Sequence, residues 1–415
     1  MALVTEQSSS RRSRARRSRP ALVAGFLGLV AALLMTLVSA PDRASAASPP
    51  TPRLVYQNTV TEGDGPRTPD IISTSANDAV VVWREGTTAS VITSPANSVF
   101  DHGYIRYSYT TDGGVTWSRP QTLAQETSEY SWHYVELYKT GNRIFAYMGR
   151  TAITNYSGLP IDAVVAKEST DGGHTWHDFT IDMPLNPTTD ASLPGKQNLA
   201  LAGRPVQMAN GLYVMPYWAS KRENGVLYSV DLVKWTAAGP VPNPTDHLPG
   251  EPQLVISQDD PNKLLMVARS KPPVDGAASF ALTATADVTR TTTETGTVVK
   301  VSWSPFRLDT NVPNNDSKGY FTKDSTGRYL TIYNTKTDPI RQAMNYRTKN
   351  PGTAAWSSSE LFADPTGPND PTPAGTGAGW DTYPMADEYA PGKFFVVWEH
   401  DTSAILVSRL DISDR

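Results

Sequence analysis

The chain has 415 residues, with 37 Lys and Arg against 41 Asp and Glu, a formal net charge of −4 and no cysteine. The absence of thiols excludes a disulfide scaffold, a thiolate metal site and a cysteine nucleophile. Seven of the arginines and two of the acids fall in the first 46 residues; without them 30 basic and 39 acidic residues remain, −9, which argues against a nucleic-acid footprint.

Arg11, Arg12, Arg14, Arg16, Arg17 and Arg19 precede the charge-free run Ala21–Ala40, and small residues follow at Ala44-Ser45-Ala46. This pattern reads as a secretory signal over residues 1–46, removed after Ala46. A membrane anchor is the competing reading, because a charge-free run of 20 residues is just long enough to span. With the segment removed, a secreted, extracellular protein without a stable membrane anchor is expected.

Beyond Ala46, short apolar runs recur: Ala79–Arg84, Ile144–Met148, Gly211–Tyr217, Lys263–Arg269, Arg328–Asn334 and Lys393–Glu399. Each is bounded by Gly, Asn, Asp or Pro and is rich in Val, Ile, Leu, Phe, Tyr and Met, which is strand grammar. A second repeat interleaves with the first. Thr110-Thr-Asp112-Gly-Gly114-Val-Thr116-Trp117 returns as Ser169-Thr-Asp171-Gly-Gly173-His-Thr175-Trp176, and in shortened form as Ser229-Val-Asp231-Leu-Val-Lys-Trp235. A degenerate copy spans Thr348 to Trp356. Such a turn lets Asp accept bonds from turn amides while Gly takes positive φ. Six strand runs over residues 47–415 predict one all-β domain, a six-bladed β-propeller, with seven blades as the rival count. Arg53–Gln57 and Ala404–Leu410 are expected to share the last sheet and close the ring. Asp364–Gly379 reads as a long Pro/Gly-rich loop, with Gly86–Phe100 and Thr289–Thr297 as smaller insertions.

Several motifs, in one order along the chain, resemble those of the sialidase (neuraminidase) family, whose members carry such turns as Asp-boxes, or BNR repeats. Arg67-Thr68-Pro69 resembles the family's Arg-Ile-Pro element, with Thr in place of Ile. Asp101 lies eleven residues before the first Asp-box aspartate, where the family has its acid/base. Gly250-Glu251-Pro252-Gln253 is similar to the segment bearing the catalytic glutamate; Val267-Ala268-Arg269 and Arg341 follow as the second and third arginines. Asp381-Thr382-Tyr383-Pro384 resembles the segment of the nucleophilic tyrosine, with Pro where the family more often has Ser. Glu399 matches the carboxylate that orients the first arginine. Arg84, at a strand end, is a weaker candidate for a further substrate contact, with a surface charge as the alternative. Arg106 reads as structural.

The resemblance implies an exo-α-sialidase, a glycoside hydrolase that removes terminal α-linked sialic acid from glycoproteins, glycolipids and oligosaccharides. The residue types suit that chemistry. Sialic acid carries a carboxylate on its anomeric carbon, which the forks of Arg67, Arg269 and Arg341 can hold. A neutral phenol, Tyr383, approaches beside that anion without the repulsion a carboxylate would meet. Glu251 would be its base, and Asp101 would protonate the leaving oxygen. The three guanidiniums are expected to outnumber nearby acids. No cofactor or metal is expected, since His102, His133, His174, His177, His247 and His400 show no ligand spacing. A monomer is expected. The competing functions are an enzyme on another acidic sugar (a related nonulosonic acid, or a uronic-acid polysaccharide lyase) and a non-catalytic carbohydrate-binding propeller.

Overall fold

The runs that mark the repeat in the sequence are apolar at consecutive positions because both of their faces are covered. Val80 and Val82 turn to one neighbouring sheet, and Val81 and Trp83 to the other; all four are buried. A computed structural model describes residues 49–58, 65–86, 103–152, 161, 163–184, 199–219, 223–274, 279–293, 296–334, 341, 343–364, 381–401 and 403–415. Among the described residues there are 26 strands and no helix.

The strands form six antiparallel sheets. Strand β1 (Arg53–Gln57) belongs to the last of them. The first blade is β2 (Pro66–Ser73), β3 (Ala79–Gly86), β4 (Gly103–Thr110) and β5 (Gln121–Ala124). The second is β6 (Tyr130–Thr140), β7 (Arg143–Ala152), β8 (Ala163–Ser169) and β9 (His177–Phe179). In the third, β10 (Ala200–Leu201) and β11 (Val206–Gln207) both pair with β12 (Tyr213–Ala219), followed by β13 (Glu223–Ser229) and β14 (Thr236–Ala238). The fourth holds β15 (Leu248–Ile256), β16 (Lys263–Lys271), β17 (Phe280–Thr293), β18 (Gly296–Trp303) and β19 (Arg307–Pro313). The fifth is β20 (Tyr320–Lys323), β21 (Tyr329–Asn334), β22 (Met344–Lys349) and β23 (Glu360–Ala363). The sixth runs β24 (Asp381–Ala390), β25 (Lys393–His400), β26 (Ala404–Asp411) and then β1. The protein is a six-bladed β-propeller. Each of the six apolar runs is the second strand of its blade. The ring closes as expected, with Arg53 opposite Val407 and Leu54 opposite Leu406.

Apolar cores join successive sheets. One spans the fifth, sixth and first blades; others join the first to the second, the second to the third and the third to the fourth. The core between the fourth and fifth is the smallest, with six buried residues. Charged side chains tie blades together across the ring. Arg204, from the third blade, pairs with Asp70 of the first and with Ala386 and Asp387 of the sixth. Lys318 and Glu136 form a buried pair at 3.2 Å between the fifth and second blades.

The Asp-box turns connect third and fourth strands of their blades. In the first, Asp112 accepts bonds from Thr110 Oγ1 (2.8 Å), Thr116 N (2.9 Å) and Thr116 Oγ1 (2.6 Å). The second repeats this around Asp171. Gly173 there has φ +91°, and a Cβ would stand 2.7 Å from Val80 in the first blade. The fourth blade departs from the pattern. Phe280–Thr283 of β17 pair with β19, while Ala286–Thr293 pair with β18. Within the stretch read as an insertion, Thr289–Thr293 pair with Gly296–Lys300 as part of a β-hairpin. Residues 1–46, read from the sequence as a secretory signal, residues 87–100 of the Gly86–Phe100 stretch and residues 365–379 lie outside the described residues.

Candidate active site

The innermost strands do not run straight. The register with the second strand breaks between Arg67 and Asp70 in β2, Trp132 and Val135 in β6, Gly250 and Pro252 in β15, and Thr382 and Met385 in β24. At three of these bulges a non-glycine residue takes left-handed φ: Thr68 (48°), Glu251 (23°) and Tyr383 (55°). Each such residue costs on the order of 1–3 kcal/mol, which the sheet on either side must sustain. A bulge re-aims a side chain out of the alternation of its strand. Each of the three is followed by proline (Pro69, Pro252, Pro384), a residue with no N–H to offer the ladder.

The bulges bring distant residues together. The Tyr383 hydroxyl donates to Glu251 Oε1 at 2.8 Å, across 132 residues of sequence. Arg269 Nη1 donates to Glu251 Oε2 at 2.7 Å and to the Tyr383 oxygen at 3.2 Å. Its Nε donates to Asp316 Oδ1 at 2.9 Å, and the Asp316 carbonyl accepts from Arg341 Nη2 at 3.0 Å. The Arg341 guanidinium carbon lies 5.6 Å from the centre of the Tyr383 ring. Glu399 accepts from the Thr68 amide and faces Arg67 Nη1 at 3.7 Å. Thr68 therefore serves through its backbone, which the exchange of Ile for Thr leaves intact.

Burial alone would raise the Glu251 carboxyl, but the charge and hydrogen bonds of Arg269, with the Tyr383 hydroxyl, hold it below the ordinary value. Burial pushes the Tyr383 phenol well up, and the Glu251 charge adds to that against Arg269 and Arg341. The resting pair is an ionised carboxylate accepting from a neutral phenol.

Arg84 is not a surface charge. It is 2% exposed, and its Nε donates to the Trp132 carbonyl at 3.1 Å, at the second-blade bulge. Arg106 is tied to Glu85 (3.2 Å) and Thr122 (2.7 Å). Asp101 lies outside the described residues. Arg67, Arg269 and Arg341 stand beside Glu251, Asp316 and Glu399, and the charge of Lys318 also bears on Glu251. Sequence reasoning missed Asp316, which has φ 50° in the loop before β20, and Tyr134. Tyr134 sits in the second-blade bulge, buried, and burial raises its phenol together with the charges of Glu251 and Tyr383. Its place on an innermost strand is the signal that could have found it.

The description of the BNR repeat-like domain matches residues 104–386. The chain belongs to that family. Solved structures agree with this BNR-repeat fold. A protein of unknown function from Dyadobacter fermentans superposes with TM-score 0.61 at 16% identity, over 87% of this chain and 98% of that one. The Hadza microbial sialidase Hz136 gives 0.59 at 16%, over 84% and 66%. The leech intramolecular trans-sialidase, solved with 2,7-anhydro-Neu5Ac, gives 0.57 at 14%, over 87% and 70%. No curated protein matches the chain. The likeness to sialidases thus extends from the motifs to the fold.

Proposed function

We propose that this BNR-repeat protein is an exported exo-α-sialidase that hydrolyses terminal α-linked sialic acids with retention of anomeric configuration. The observation that carries the reading is the contact of the Tyr383 hydroxyl with Glu251 at 2.8 Å, with Arg269 bonded to both. A phenol paired with an ionised carboxylate is an activated nucleophile. As the phenol oxygen attacks the anomeric carbon, its proton passes to Glu251 Oε1, and a glycosyl-tyrosine forms. Arg269, Arg341 and Arg67 hold the substrate carboxylate; Glu399 orients Arg67. Asp101, assigned by sequence resemblance, protonates the leaving oxygen and then activates the water that releases sialic acid. Neither a metal nor an organic cofactor enters these steps. Residues 1–46 direct export.

The test is turnover of a fluorogenic sialoside by the purified chain, with and without a dehydrated sialic-acid transition-state mimic. Turnover that the mimic suppresses is expected. No turnover together with no binding of the mimic would move the assignment to another acidic sugar.

A further inference from the structure

The small core between the fourth and fifth blades leaves an open groove beside it, with a volume of about 540 Å³. That is within the range of small-molecule sites, roughly 300–1,000 Å³. It lies beside the irregular fourth blade, where β17 runs on into the hairpin with β18. Thr283, Ser304, Arg307 and Asp309 line one side, and Lys349 and Trp356 the other.

Three features point to a ligand class. Trp356, half-buried, is backed by Tyr329 (ring centres 6.5 Å apart, 22° between planes) and meets Phe321 edge-on at 6.1 Å, so the indole is held as a platform. Thr283 is 3% exposed, and its hydroxyl has no hydrogen-bond partner among the described residues. The charges that line the groove balance: Arg307 and Lys349 against Asp259 and Asp309. A balanced field gives no preference for an anion, while a fixed aromatic ring beside hydroxyl and charged hydrogen-bonding groups suits a pyranose, with one apolar face and a rim of hydroxyls. We propose that the groove between the fourth and fifth blades binds an uncharged hexopyranose residue of a glycan, separately from the cluster around Tyr383.

Val267, Val312 and Phe321 line both the groove and a small cavity behind Glu251 and Arg269, so groove and site share a wall. The experiment must therefore separate them. The full chain is titrated with lactose and with maltotriose, followed by calorimetry and saturation-transfer NMR. Roughly millimolar binding is expected, unchanged in Tyr383→Phe and weakened about fivefold or more in Thr283→Val and in Trp356→Leu. Thr283→Val removes a hydroxyl that has no partner to lose, so Tm should not fall, and lost binding there is not unfolding. Binding of neither sugar, or binding that Tyr383→Phe abolishes while the groove variants leave it intact, overturns the proposal. A chain that fails to turn over sialosides yet binds lactose through Thr283 and Trp356 would sink the catalytic reading and leave this one standing.

Discussion

The Asp-box turns and the innermost bulges are both places where carboxylates are held below their ordinary pKa, yet they differ in every other respect. Asp112 takes its bonds from Thr110 and Thr116, within four residues, and those bonds hold it at about 2 on the surface. Glu251 is buried, sits at left-handed φ, and takes its partners from Arg269 and from Tyr383, 132 residues away. A turn that satisfies itself locally is free to repeat wherever the fold needs it. A cluster that depends on four blades exists once, and only when the ring is complete. The first kind of carboxylate builds the propeller; the second needs the finished ring.

Replacement of Tyr383 by Phe should break the second kind outright. It removes the proposed nucleophile and leaves the packing ring, so activity should fall roughly 10³-fold or more on both aryl and natural sialosides. A fluorinated sialic acid with a good leaving group should label Tyr383 in the parent, located by peptide mass mapping. Full activity in the Phe variant, or label elsewhere, would place the nucleophile at another residue. Arg269→Ala comes next. It strips the buried Glu251 of its counter-ion, and kcat/KM should fall well beyond tenfold, about 1.4 kcal/mol. The acid limb of the residual rate should move to higher pH, because the guanidinium holds Glu251 down. A loss under tenfold would remove Arg269 from the clamp.

The Lys318–Glu136 pair sharpens the comparison, since it too is buried and long-range, while Lys318 acts on the Tyr383 cluster through its charge on Glu251. Burial pushes Glu136 from 4.5 up to about 7, even with Lys318 beside it. A raised carboxyl favours the fold below its unfolded pKa, and that contribution is lost as pH rises through the folded value. Lys318→Met should therefore cost about 3–5 kcal/mol at pH 8 and less at pH 5.5, read as denaturant midpoints. Equal losses at both pH values would mean that Glu136 does not take up the proton. The smallest effect should come from Asp112→Ala: a slight fall in Tm, with kcat/KM within about twofold of the parent. Asp112 and Asp171, both held at about 2, stabilise the fold above the ordinary aspartate range, and that stabilisation fades as pH falls toward 2.

Parts of the site were legible for reasons the bulges explain. Thr68 and Pro384, the two departures from the sialidase motifs, fall inside register breaks. At one the backbone amide does the work, and at the other no ladder amide is needed. Arg84 at a strand end read equally well as a surface charge, because linear sequence carries no burial. Asp316 and Tyr134 were missed for a related reason. Asp316 meets Arg269 only through the loop that leads into the fifth blade, and Tyr134 meets the site only through a bulge that no proline announces.

What the sequence determined by itself was the part of the molecule that repeats and satisfies itself locally. Six apolar runs buried on both faces, Asp-Gly turns at a matched spacing and two terminal strands were enough to specify six blades and their closure. The groove beside the fourth blade and the meeting of Tyr383 with Glu251 and Arg269 were decided only in the tertiary structure. Both arise where side chains from different blades meet, and the field at such a place depends on distances between residues a hundred positions or more apart.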